Sequence, residues 1–317
     1  MLRLLEKITN GCRIEINETG TSLLYTPGLL VGGKVKHECS TSRGIGYYAE
    51  VLLALGPFCK KPISATLHGV TNEGLDTCVD VLRMVSVPVL QKFGLNPDAF
   101  ELKISKRGAQ PGGGGSVKLT IPTAKELTPI LEVDGGSIRR IRGVAFTTRV
   151  SPMFAPRMVD AAKSLLLKYA QDVFIYTDHY KGKTGGLSPG FGLALVAESQ
   201  TGALFPAEAA ADREAGDAGQ VPEEIGERAA LLLLDEILKG GAISSVMQPL
   251  VLLYMAMTSE DVSAVRVGTL TKYSISVLRL IRDFVGVTFK IEPDRETQTV
   301  LLSCLGSGAA NIARVVQ

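Results

Sequence analysis

Arg107-Gly108-Ala109-Gln110-Pro111-Gly112-Gly113-Gly114-Gly115-Ser116-Val117 sets a basic residue ahead of four glycines and runs between two alternating segments. Upstream, Phe100-Glu101-Leu102-Lys103-Ile104 alternates as a strand, and downstream Ser116 to Ile121 supplies its partner. A connection without side chains can bring backbone N–H groups up to a phosphate. It is not a Walker loop, because no Lys-Ser/Thr follows the glycines. The expectation is an anion site made by Arg107 with Gly112, Gly113, Gly114 and Gly115; the plain alternative is a flexible hairpin turn.

Outward from this loop the chain repeats one order of elements. Leu2, Leu5 and Ile8 stand at helical spacing, and Arg13 to Ile16 and Leu23 to Tyr25 read as a hairpin turning at Asn17-Glu18-Thr19-Gly20. Residues 44–55 predict a short helix and 62–69 a strand, while Leu75, Val79, Leu82, Val85 and Val89 predict one face of a helix ending before Gly94. Near the C-terminus Ile275, Leu278, Ile281 and Phe284 share a helix face, followed by strands at 287–291 and 300–304. These units predict an α/β fold: helix-plus-hairpin repeats forming a large domain, residues 1–140 and 248–317.

Residues 141–247 differ in texture and predict a smaller inserted α/β domain. Met158, Ala162, Leu165 and Tyr169 mark a helix face, 172–176 and 193–196 read as strands, and the alanine-rich 207–220 reads as a mobile loop. Pro222-Glu223-Glu224 opens a helix in the order the first turn favours, and Gly240-Gly241 closes it. His179 and Asp178 fall in a loop, His37 beside a strand and His68 at a strand end; each imidazole reads as a surface or satisfied group.

Composition excludes several classes. The 317 residues hold 34 Lys+Arg against 32 Asp+Glu, a net +2, which rules out a strongly basic nucleic-acid coat. At 45% hydrophobic and 21% charged the chain is too apolar to be disordered. No apolar run reaches the roughly 18 residues of a membrane span, and Met1 opens without a signal-peptide pattern, so the chain reads as intracellular and soluble. Five cysteines, none spaced Cys-x-x-Cys, predict buried or idle thiols and no metal site. Basic residues do gather at Arg139, Arg140, Arg142 and Arg149, with no acid between them; arginines at this density suit the phosphate backbone of a nucleic acid, the alternative being a solvated face.

The glycine stretch, from Arg107 to Val117, resembles the signature of the RNA 3′-terminal phosphate cyclase family, Arg-Gly-x-x-Pro-x-Gly-Gly-Gly-x-[Leu/Ile/Val], at every fixed position. Residues 143–152, Ser188-Pro189-Gly190-Phe191-Gly192 and 216–224 resemble the eukaryotic cyclase-like branch more than true cyclases. The resemblance implies repeated βαβαββ units in a large domain, an inserted α/β domain, and a first repeat truncated at its N-terminus. Cyclases of this family attack ATP with a histidine late in the chain. Here the three histidines are His37, His68 and His179, and Tyr273 stands near the nucleophile position. A phenol with a pKa near 10 is a poor substitute.

The resemblance therefore implies a nucleolar ribosome-biogenesis factor for small-subunit precursor rRNA, without cyclase activity or a cofactor, partnered by a nucleolar GTPase and the small-subunit processome. The alternatives are an endonuclease cutting that precursor, with Arg282 and Asp283 as its candidate residues, and an ATP-dependent RNA 3′-terminal phosphate cyclase.

Overall fold

The structure, a computed structural model, describes residues 1–211 and 220–313. Its recurring unit is strand, helix, strand, helix, strand, strand. The first complete copy runs Gly32–Glu38, helix Ile45–Leu55, Lys61–Gly69, a helical segment over 79–91, then Glu101–Lys106 and Gly115–Ile121. In its sheet Gly32–Glu38 lies parallel to Lys61–Gly69, which pairs antiparallel with Gly115–Ile121, and Glu101–Lys106 closes the far edge. Alternation decides which face is covered. Val35, Ile63, Ala65, Leu67, Val117, Leu119 and Leu102 are buried beneath the crossover helices, while their neighbours face out. The helical segment widens into a π-helical stretch at Leu82–Ser86, where Pro88 has no N–H for Met84's carbonyl.

A second copy reproduces this order with Leu131–Glu132, helix Gln248–Ala256, Val262–Val267, helix Lys272–Val285, Lys290–Asp294 and Thr299–Leu305. Helix Leu2–Ile8 and the hairpin Arg13–Ile16 with Leu23–Thr26 match the last three elements of such a unit. Between the first strand and first helix of the second copy the chain builds a separate sheet, in the order Val173–Tyr180, Ile138–Thr148, Gly190–Ser199, Leu204–Ala210. Helices Phe154–Leu166 and Pro222–Lys239 cover one face. They approach so closely at Gly226 that a Cβ there would meet the Met158 carbonyl oxygen at 2.3 Å.

Two hydrophobic cores result. One joins residues from Leu4 to Cys304 and the other residues from Ile141 to Leu233. Strand Gly190–Ser199 divides them: Ala194 and Val196 pack into the first core, Leu193, Leu195 and Ala197 into the second. Cys39, Cys59, Cys78 and Cys304 are buried thiols, and burial pushes Cys59 and Cys304 up to about 11. Among the described residues no helix is long and apolar enough to cross a membrane.

Several local expectations are corrected. Leu75 precedes the helical segment and is exposed; Tyr169 and Phe284 also face solvent. Asp178 and His179 lie within a strand, and the last hairpin begins at Lys290. Residues 207–210 are strand, while 212–219 of the expected mobile loop lie outside the described residues.

Candidate functional site at the junction of the two cores

Arg107 leaves strand Glu101–Lys106 just past a register shift and turns inward, where it is fully buried. Its five N–H groups are all engaged. Nη1 donates to Asp80 Oδ2 and, at 3.1 Å, to Asn72 Oδ1; Nη2 donates to Asp80 Oδ1 at 2.9 Å and Asp178 Oδ2 at 3.0 Å; Nε donates to Asp178 Oδ2 at 3.3 Å. The Phe146 ring lies 4.8 Å and the Tyr180 ring 5.7 Å from the guanidinium. Asn72 and Asp80 belong to the first repeat unit, whereas Phe146, Asp178 and Tyr180 come from the inserted sheet. Burial alone would push Asp80 up, but the Arg107 guanidinium holds its carboxyl below the usual aspartate range.

In this geometry Arg107, expected as part of an anion site, is engaged within the protein. Every Arg107 N–H is taken by Asp80, Asp178 or Asn72, which leaves none for a phosphate. Part of the glycine run is likewise engaged within the protein, although Gly114 is exposed. The Gly112 amide donates to Ser188 Oγ at 2.9 Å, the Gly113 amide to Ala109 O at 2.8 Å, and the Leu187 amide to Gly113 O at 2.9 Å. Gly114 sits at φ +80, and Gly186 faces the loop so closely that a Cβ would lie 2.4 Å from Gly113 O and 2.6 Å from Arg107 O. What the glycines permit is contact between two backbones, one from each body.

Around this clamp lie carboxylates that sequence reasoning missed. Arg43 Nε donates to Asp76 Oδ2 at 2.8 Å and its guanidinium stacks 4.0 Å over Tyr47. The Gly44 amide donates to Glu73 Oε1 and to Asp76 Oδ2, and Gln110 Nε2 donates to Glu73 Oε2. Burial, then the neighbouring Asp76, pushes Glu73 up to about 7. Glu208, on the inserted sheet, accepts the Cys78 amide at 3.0 Å, and burial pushes it up to about 7. No sequence pattern marks these acids; they converge through the fold.

The arginine cluster is dispersed and paired. Arg139 and Arg140 both donate to Glu198, at 3.2 and 2.8 Å, and Arg142 forks onto Asp172 at 2.7 and 2.8 Å. Arg149 lies just past the other end of this strand, ten residues or about 33 Å from Arg139, where Nε donates to Gly186 O. Lys103 and Lys106 stand on the sheet of the first complete repeat, apart from these arginines.

Tyr273 is exposed, with its hydroxyl 3.4 Å from Glu50 Oε1; partial burial and that carboxylate push its pKa above the ordinary tyrosine value. Arg282 and Asp283 bond to each other at 2.9 Å on the solvent side of a helix, and no described residue joins them to the clamp. His179 Nδ1 is 2.7 Å from Thr147 Oγ1, while His37 departs from its expectation: it is buried and its Nδ1 has no partner among the described residues. Burial, then Lys7, lowers the His37 pKa. Among the described residues no three His, Cys, Asp or Glu side chains gather as a metal site.

The sequence model of one family, RNA 3′-terminal phosphate cyclase, matches residues 1–291. This chain belongs to the RNA 3′-terminal phosphate cyclase family. It is 50% identical to the "Probable RNA 3′-terminal phosphate cyclase-like protein" of Dictyostelium discoideum, over 99% of this chain and 87% of that protein. It is 48% identical to the human "RNA 3′-terminal phosphate cyclase-like protein", over 100% and 86%. With the "rRNA processing protein rcl1" of Schizosaccharomyces pombe it shares 44%, over 100% and 86%. Within the cyclase family's frame, the Arg107 clamp and its glycine run are the stretch that joins the repeat units to the inserted sheet.

Proposed function

We propose that this chain is a ribosome-biogenesis factor that acts in small-subunit precursor-rRNA processing in the nucleolus and performs no cyclase chemistry. The name of the fission-yeast relative supports the rRNA-processing role. One observation carries the loss of chemistry: no histidine follows His179, and the residue near the nucleophile position, Tyr273, holds its proton more tightly than an ordinary phenol. The family resemblance supplies the partner, a nucleolar assembly GTPase.

Incubation with radiolabelled ATP, denaturation and gel autoradiography should give no labelled band; a band that survives denaturation overturns the non-cyclase reading. Depletion of the protein in its own cells should make small-subunit precursor rRNA accumulate while large-subunit rRNA matures normally. Unchanged precursor levels on northern blots would sink the processing role.

A further inference from the structure

The sheet Gly32–Glu38, Lys61–Gly69, Gly115–Ile121, Glu101–Lys106 carries its helices on one face, and its other face is polar throughout its centre. The register sets Lys36, Thr66, Lys118 and Lys103 in one row across all four strands. Next to it run Lys34, Ser64, Thr120 and Glu101, and on the other side Glu38, His68, Ser116 and Lys106. All five lysines are exposed, and among the described residues none forms an ion pair. Five lysines against two glutamates leave the face at +3, when the whole chain carries +2.

The row from Lys36 to Lys103 spans three strand spacings, about 14 Å. Lys103 and Lys118 stand directly opposite each other, a like-charge pair that destabilises a bare sheet. An anionic ligand lying along the row relieves that repulsion.

We propose that this open face binds the sugar-phosphate backbone of RNA. The choice of RNA rests on the rRNA-processing reading. The chemistry favours it over a protein partner: protein interfaces centre on aromatic or aliphatic side chains, and this face interleaves its ammonium groups with serine and threonine hydroxyls. With no phenylalanine, tyrosine or tryptophan among these twelve positions, contact is mainly to phosphates and carries little base readout.

The test is fluorescence anisotropy with a labelled oligouridylate over a range of salt. Five ammonium contacts give a log–log salt slope of about −3.5 for the unaltered protein. The variant Lys36→Gln/Lys103→Gln/Lys118→Gln should keep two, lowering the slope to about −1.4 and weakening binding at low salt by roughly a hundredfold. Its circular dichroism and melting temperature should match or exceed the parent's, since the opposed lysines are gone. If the folded variant binds as its parent does, the proposal fails; loss of binding in Arg139→Gln/Arg140→Gln/Arg142→Gln would then leave RNA binding standing, with the arginines as its site. If the unaltered protein binds no oligouridylate, the proposal and direct RNA contact fall together. Equal capture of polyglutamate, lost in the lysine variant, would overturn the assignment to RNA.

Discussion

Arg107→Met should destabilise the protein by about 3–5 kcal/mol, because it leaves a fully buried carboxylate without its counter-charge. Asp80 would retain the Asn72 amide at 3.0 Å and Arg83 at 3.6 Å, neither of which replaces a two-pronged guanidinium. Melting temperature should fall by roughly 10 °C. Arg107→Lys keeps the charge but offers three donors where five are used, so it should lie between the two. The double variant Arg107→Met/Asp80→Leu should recover part of the loss, since it removes the stranded charge as well. Acid should erase the difference. Asp80 titrates below the ordinary aspartate range when folded, so its contribution is present above about pH 4 and vanishes as pH falls below it. Because Asp178, Phe146 and Tyr180 belong to the inserted sheet, amide exchange should rise first along strand Val173–Tyr180. A melting temperature within 2 °C (about 1 kcal/mol) of the parent would show that Arg107 does not hold the junction.

The contrast between Arg107 as a sequence and Arg107 in the fold shows where sequence reasoning stops. The repeat units were legible because each strand buries one face: Ile63, Ala65 and Leu67 alternate with Ser64, Thr66 and His68, and that period is local. Strand Ile138–Thr148 carries no such mark. Its residues from Gly143 to Thr148 are all buried, so the alternation disappears, and its arginine-rich start resembles a charged surface run. The carboxylates that pair those arginines, Asp172 and Glu198, lie 30 and 58 residues downstream of Arg142 and Arg140. An arginine before a glycine run likewise looks like an anion loop until Asp80, 27 residues upstream, and Asp178, 71 residues downstream, converge on it. The lysine face is hidden for the opposite reason. Its five members come from three strands between positions 34 and 118, and each taken alone is an ordinary exposed strand lysine.

Glu208→Gln should raise stability at pH 8 and raise it much less at pH 5. Glu208 sits on the inserted sheet against Cys78, the residue that caps the helical segment at 79–91. A helix N-terminus ordinarily favours a carboxylate, but burial, with Asp80 and Glu73 nearby, outweighs it and pushes Glu208 up to about 7. A carboxyl raised from the unfolded value near 4.3 contributes stability that is present below that pH and lost as pH climbs through 7. The full shift would correspond to about 3 kcal/mol, and the solvent Glu208 retains screens this to about 2 kcal/mol. The glutamine keeps a carbonyl oxygen for the Cys78 amide and has no proton to lose. Urea unfolding from pH 5 to pH 8 should therefore show the parent declining and the variant declining less. A residual slope is expected, because Glu73 also titrates near 7 and stays in place. A parent–variant difference that does not change with pH would mean that Glu208 is ionised at the junction throughout, and that the two bodies meet there across a solvated contact.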